Sequence, residues 1–159
     1  MTNRSNSKSR THKAFFDRYG PWAVVTGASD GIGLAFAWEL AARGLNLILV
    51  SRSGYILEDI GTALAQEHGV RFHVIAADLS RPEAVDTTLA DCRDFEIGLM
   101  IASAGYGSAG PLIHSDQASE LGMVDVNCRA VLAMTNHFAR RFTDRKGGGL
   151  VLMSSLFAF

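Results

Sequence analysis

The sequence predicts an α/β fold built on a doubly wound parallel sheet, and three observations lead there. Short Val/Ile/Leu-rich runs recur along the chain without strict polar alternation, as strands buried on both faces do. Longer stretches with helical patterning separate these runs, the alternation that gives right-handed crossovers. A glycine-rich turn joins the first run to the first helical stretch.

The elements follow in order. The runs "WAVVTG" (22–27), "LNLILVS" (45–51), "RFHVIAAD" (71–78), "IGLMIASAG" (97–105) and "GLVLMSS" (149–155) have strand length. The first helix, "GIGLAFAWELAARG" (31–44), is apolar nearly all round and closes at Gly44, a C-cap glycine. A second runs from about Tyr55 to His68 before Gly69. "SRPE" introduces the third: Ser80 is expected to cap it, with Pro82 in the first turn and Glu83 completing a capping box. From about Ser115 to Arg145 one or two helices are expected, ending in the basic "RRFTDRK" that suits a helix C-terminus. In such a sheet, ligands bind beyond the carboxyl ends of the strands, so function is sought at residues 27–33, 51–53, 78–79, 103–110 and from 154 onward.

Composition narrows the classes. The 159 residues are 48% hydrophobic and 19% charged, with a net charge of −1, which fits one globular domain. That balance argues against a nucleic-acid partner, and no run approaches the roughly 20 apolar residues of a membrane span. Residues 1–13, "MTNRSNSKSRTHK", are polar and basic without an apolar core, so a flexible arm is expected there and the folded domain over 14–159. Cys92 and Cys128 show no pairing pattern and are expected to be buried small hydrophobes in a reducing cytoplasm. The histidines at 12, 68, 73, 114 and 137 have no ligand spacing, so no metal site is expected.

"VVTGASDGIGLAFA" carries the first chemistry. Gly27 permits a tight turn, Gly31 permits close approach of backbone to a phosphate, and Gly33 permits close packing of helix on strand. Free N–H groups at the helix start, with the helix dipole, favour a pyrophosphate. The second strand ends in "LVSRS", so Ser51 and Arg52 stand where an acidic residue would bind an adenosine ribose. Arg52 suits a 2′-phosphate, which favours NADP(H) over NAD(H).

The spacing T-G-x-x-x-G-x-G from Thr26 to Gly33 resembles that of the short-chain dehydrogenase/reductase family, and the likeness extends from about Trp22 to Ser155. It implies a Rossmann-like sheet of about five strands in the order 3-2-1-4-5, helices on both faces, and a nicotinamide cofactor. Ser29, Asp30 and Ile32 join the loop glycines in the expected cofactor-binding set; many NADP-preferring relatives have a basic residue in this loop, where this chain has Asp30. The resemblance also implies that Asp78 contacts the adenine amino group beside Leu79, and that Ala104 and Gly105 of "ASAGYG" lie against the cofactor. Ala102 and Ser103 depart from the family's N-N-A-G, so support for this strand end is expected to differ.

Asn127 is the one polar residue at the centre of an apolar helical stretch, "MVDVNCRAVLAMTNHF". The resemblance implies an Asn here that interrupts the helix and holds a water in a proton relay. It likewise implies that Ser155 is the catalytic serine, with Ser154 its structural neighbour. The family's Tyr-x-x-x-Lys is not found: none of Tyr19, Tyr55 and Tyr106 has a Lys four positions on, and the chain stops four residues after Ser155. A domain truncated at its C-terminal end is therefore expected. The implied activity is interconversion of a carbonyl and an alcohol on a small molecule by hydride transfer, by a cytoplasmic protein expected to be a homo-oligomer. The alternative reading is a non-catalytic dinucleotide-binding module with a regulatory or scaffolding role.

Overall fold

The computed structural model describes residues 12–155. Strand β1, Trp22–Thr26, is buried along its whole length, and an all-apolar run can be satisfied only at the centre of a sheet. It pairs in parallel with β2 (Asn46–Ser51) on one side and β4 (Ile97–Ala102) on the other. Strand β3 (Phe72–Ala76) lies outside β2, and β5 (Gly149–Leu152) outside β4, giving the order β3-β2-β1-β4-β5. This is the order the family resemblance implied.

Each face of the sheet is covered, and strand alternation assigns the residues. Ala23, Val25, Leu47, Leu49, Leu99 and Ile101 pack on α1 (Gly31–Ala42) and α2 (Gly54–His68), through Ala37, Leu40, Leu57 and Leu64. Trp22, Val24, Ile48, Val50 and Met100 point the other way, towards Val85 of α3 (Pro82–Asp91) and Met134, Phe138 and Phe142 of α5 (Val131–Asp144). Arg141 and Arg145 tie α5 down: Arg141 donates to the carbonyls of Cys92 and Phe95, and Arg145 to those of Arg18 and Gly20. Among the described residues, no helix is long and apolar enough to cross a membrane.

Four details differ from expectation. The strands stop short: β1 at Thr26, β3 at Ala76, β4 at Ala102 and β5 at Leu152. The residues that follow begin the loops, with Gly27, Ala77 and Met153 still donating to the Val50, Ser51 and Ala102 carbonyls of the neighbouring strands. Ser80 does not cap α3; its hydroxyl instead donates to the Asp78 carboxylate at 2.8 Å, and Arg81 holds the N-cap position without a side-chain bond. Of the two cysteines, Cys92 is buried but Cys128 is exposed. The expected arm lies mostly outside the described residues, and the chain is already helical over 12–19.

The 115–145 region resolves into a short 3₁₀ turn (Leu112–His114), α4 (Gln117–Val124), a π-helical turn (Asp125–Ala130) and α5. A π turn inserts an extra residue into the helical repeat and breaks the regular bonding ladder. Asn127 sits within it.

His137, on α5, gives a stability signature. Its Nε2 is buried with no hydrogen-bond partner among the described residues, and its ring meets Phe138 edge-on at 5.2 Å. Burial, followed by the charges of Arg141 and Arg93, holds its pKa below the usual 6.5. The unfolded chain therefore takes up this proton first as pH falls, so stability is constant above about 6.5 and declines below it. Asp78 also loses stabilisation on acidification, but only below its usual 3.8. Urea midpoints between pH 7.5 and 5 are expected to fall in the wild type and to flatten in His137→Leu; equal slopes would exclude His137 as the cause.

Candidate functional site

The site is built where β1 gives way to α1. Gly27 has φ 68°, and a Cβ there would lie 2.8 Å from the Ala104 nitrogen, so neither conformation nor space admits a side chain. The turn is pinned from the far side: the N–H groups of Gly27 and Ala28 donate to the Val50 carbonyl. Gly33 presses α1 onto this turn, since its Cβ would sit 2.2 Å from the Gly27 oxygen. Gly31 is different. Its φ is 56°, but a Cβ would meet nothing within 4 Å, so open space lies over the start of the helix. Asp30 caps that helix, accepting from the Gly31 N–H at 2.7 Å, and places a carboxylate beside the same open space.

The exits of β2 and β3 form the next wall. Ser51 Oγ accepts from the Ser53 N–H at 3.3 Å, turning the chain so that exposed Arg52 reaches the cleft. Asp78 is held by Ser80 twice, through its hydroxyl at 2.8 Å and its N–H at 3.1 Å. The hydroxyl bond is the main reason its pKa lies below 3.8; burial opposes this, and the charges of Arg52 and Arg81 reinforce it. Leu79 between them is buried.

The β4 exit has lost the ladder but not its hydrogen bonds. Thr26 Oγ1, on β1, accepts from the N–H groups of Ser103 and Ala104, both at 3.1 Å, and faces the Ile101 carbonyl at 3.5 Å. Two residues beyond Ala104, the Asn127 amide grips the main chain of Tyr106, accepting from its N–H at 3.2 Å and donating to its carbonyl at 2.8 Å. Gly105 passes beneath, where a Cβ would come within 2.9 Å of Asn127 Oδ1. Tyr106 completes the wall by donating its hydroxyl to the Ser119 carbonyl at the start of α4.

These exits enclose a cleft of about 750 Å³, within the roughly 300–1,000 Å³ of small-molecule and cofactor sites. Of the sequence-predicted residues, Gly27, Ser29, Asp30, Gly31, Ile32, Ser51, Arg52, Asp78, Leu79, Ala104 and Gly105 line it. Three do not. Gly33 works from behind the loop, Asn127 stands behind Tyr106, and at the β5 exit the lining is Met153 and Ser154 rather than Ser155. Ser53 and Tyr106, which fall within the loop ranges where function was sought though neither was singled out as a binding residue, also line the cleft, as do Ser80 and the α4 residues Ala118 and Gly122, which sequence reading missed. Among the described residues no cluster of His, Cys, Asp or Glu is arranged to hold a metal ion.

With this geometry established, three comparisons bear on the chain. The family model described as short chain dehydrogenase matches residues 21–159. The 7beta-hydroxysteroid dehydrogenase of Clostridium sardiniense is 33% identical over 142 residues, 89% of this chain and 54% of the relative. The human inactive hydroxysteroid dehydrogenase-like protein 1 is 33% identical over 141 residues, 87% of this chain and 43% of the relative. Among solved structures, a short-chain dehydrogenase from Sphingobium yanoikuyae in complex with NADPH superposes with a TM-score of 0.82 at 30% identity, covering 86% of this chain and 54% of that one. The chain thus spans about half the length of the curated relatives it matches.

Proposed function

The chain belongs to the short-chain dehydrogenase family, and from that premise we propose that it forms the dinucleotide-binding part of an NADP(H)-dependent oxidoreductase that interconverts a carbonyl and an alcohol. The observation that carries the reading is the open space over Gly31, at a helix N-terminus, in a cleft that Arg52 also lines. A backbone cradle with nothing over it and an arginine on the same cleft fit a pyrophosphate and a 2′-phosphate. NADP(H) would supply the hydride.

The roles then follow from position. The N–H groups at the head of α1 hold the pyrophosphate, and Arg52 pairs with the 2′-phosphate. Asp78, kept ionised by Ser80, accepts from the adenine amino group beside Leu79. Ala104 and Gly105 let backbone lie against the cofactor, and Ser51, Ser29 and Ile32 close the sides. Asp30 opposes the anion in this cleft, although as a cap it also stabilises α1. Asn127 commits both ends of its side-chain amide to Tyr106, so its first contribution is the position of the β4 exit. The family likeness, rather than the cleft lining, gives Ser155 the hydroxyl that hydrogen-bonds the reacting oxygen, and Ser154 beside it lies on the cleft wall.

Fluorescence titration with NADPH and NADH tests this. The wild-type chain is expected to prefer NADPH, and Arg52→Ala to weaken NADPH by about 10- to 100-fold, a charge-assisted pair of roughly 1.5–3 kcal/mol, while leaving NADH unchanged. Tighter binding of NADH by the wild type would reverse the cofactor preference. A second reading, dinucleotide binding without turnover, is favoured by the likeness to the human inactive hydroxysteroid dehydrogenase-like protein 1. It predicts the same titration but no NADPH oxidation with any ketone.

A further inference from the structure

We propose that Arg129 is a positioning residue of the dinucleotide site, a strut that fixes the distance between the β3 and β4 exits. The inference rests on the dinucleotide reading above. Arg129 lies in the π turn, two residues beyond Asn127, and does not line the cleft. Its guanidinium reaches in two directions. Nε donates to the Asp125 carboxylate at 2.7 Å, bracing the turn across Asn127, and Nη2 donates to the Ser80 carbonyl at 3.0 Å.

Ser80 in turn holds Asp78, and Asn127 holds Tyr106. The π turn therefore joins two sets of hydrogen bonds through its own backbone, Arg129 to the loop after β3 and Asn127 to the loop after β4. The walls it joins are close: a Cβ on Gly122 would lie 3.7 Å from Ser80 Cβ and 2.9 Å from the Tyr106 hydroxyl. Adenosine enters between these walls, so their separation sets how well it is gripped. The charges acting on Asp78 are those of Arg52 and Arg81, which leaves Arg129 to act through its fork shape. A lysine carries the same charge as a compact point on a flexible stem, without the rigid fork that holds the two acceptors at a fixed spacing.

The test compares wild type, Arg129→Ala and Arg129→Lys in the full chain, titrated with NADPH and with adenosine 2′,5′-bisphosphate. Both variants are expected to bind each ligand about tenfold more weakly, the equivalent of one lost charge-assisted bond. Exchange of the Tyr106 amide, followed by hydrogen–deuterium exchange, should be faster in both. Arg129→Lys keeps an i,i+4 partner for Asp125 and should unfold near the wild-type temperature, which separates positioning from misfolding. Arg140→Ala, an exposed charge on the following helix, should bind as wild type does. Wild-type affinity in Arg129→Lys would mean that charge alone matters and would overturn the proposal, as would unchanged binding in Arg129→Ala. A wild-type chain that binds neither ligand would overturn the dinucleotide reading itself, and this inference with it.

Discussion

Gly33→Ala is expected to destabilise the chain by about 2 kcal/mol or more and to abolish dinucleotide binding at micromolar ligand. An added methyl would sit 2.2 Å from the Gly27 oxygen and 2.7 Å from its carbonyl carbon, and both are backbone atoms. The turn cannot yield, because Gly27 is closed in by Ala104 and bonded to Val50. The relief open to the molecule is for α1 to lift, and Ala37, Leu40 and Ala41 are buried beneath it. Overpacking of this kind costs roughly 1–3 kcal/mol or more, against about 1 kcal/mol gained from alanine's helix propensity. Against a typical total of roughly 5–15 kcal/mol, that is a large loss. Urea unfolding read beside an NADPH titration measures both effects. Gly107→Ala, with no neighbour within 4 Å, is the matched control and should be neutral. An unchanged midpoint for Gly33→Ala would mean that the loop is far softer than its packing indicates.

What could be read in advance depended on how local each cause is. The glycine loop was legible because three backbone demands fall within seven residues, Gly27 to Gly33, and each shows as a missing side chain. The central strands were legible because burial on both sides leaves a nearly unbroken apolar run, as in "WAVVT". The supports of the β4 exit were not. Thr26 bonds partners 77 and 78 residues away, Asn127 one 21 residues away, and Arg129 one 49 residues away. No periodicity records such pairs. Ser80 shows a local reading defeated by a local competitor, since a carboxylate two residues earlier is a stronger partner for its hydroxyl than the helix it precedes. Cys128 was misplaced because a cysteine without a pairing pattern was read as a small buried hydrophobe, whereas this one lies within the π turn and is exposed.

Thr26 carries the second large effect, and its ranking runs against hydrophobicity. The residue is 2% exposed and its hydroxyl is fully committed, accepting from two main-chain N–H groups while facing the Ile101 carbonyl. Thr26→Val keeps the shape and suits a buried strand, but it leaves the N–H groups of Ser103 and Ala104 without their acceptor. Each half-buried donor so orphaned costs about 1–2 kcal/mol, so a net loss of about 2 kcal/mol is expected even after any gain in strand propensity. Thr26→Ser keeps the hydroxyl and loses one methyl, roughly 0.8 kcal/mol. The expected order of stability is therefore Thr, Ser, Val, with amide exchange at Ser103 and Ala104 accelerated in the valine variant but near wild type in the serine one. Because Ala104 lies against Gly27, the same loss should loosen the glycine loop and weaken NADPH binding in step. Valine as stable as threonine would show that water replaces the hydroxyl at the β4 exit, and that β1 does not hold this wall of the cleft in place.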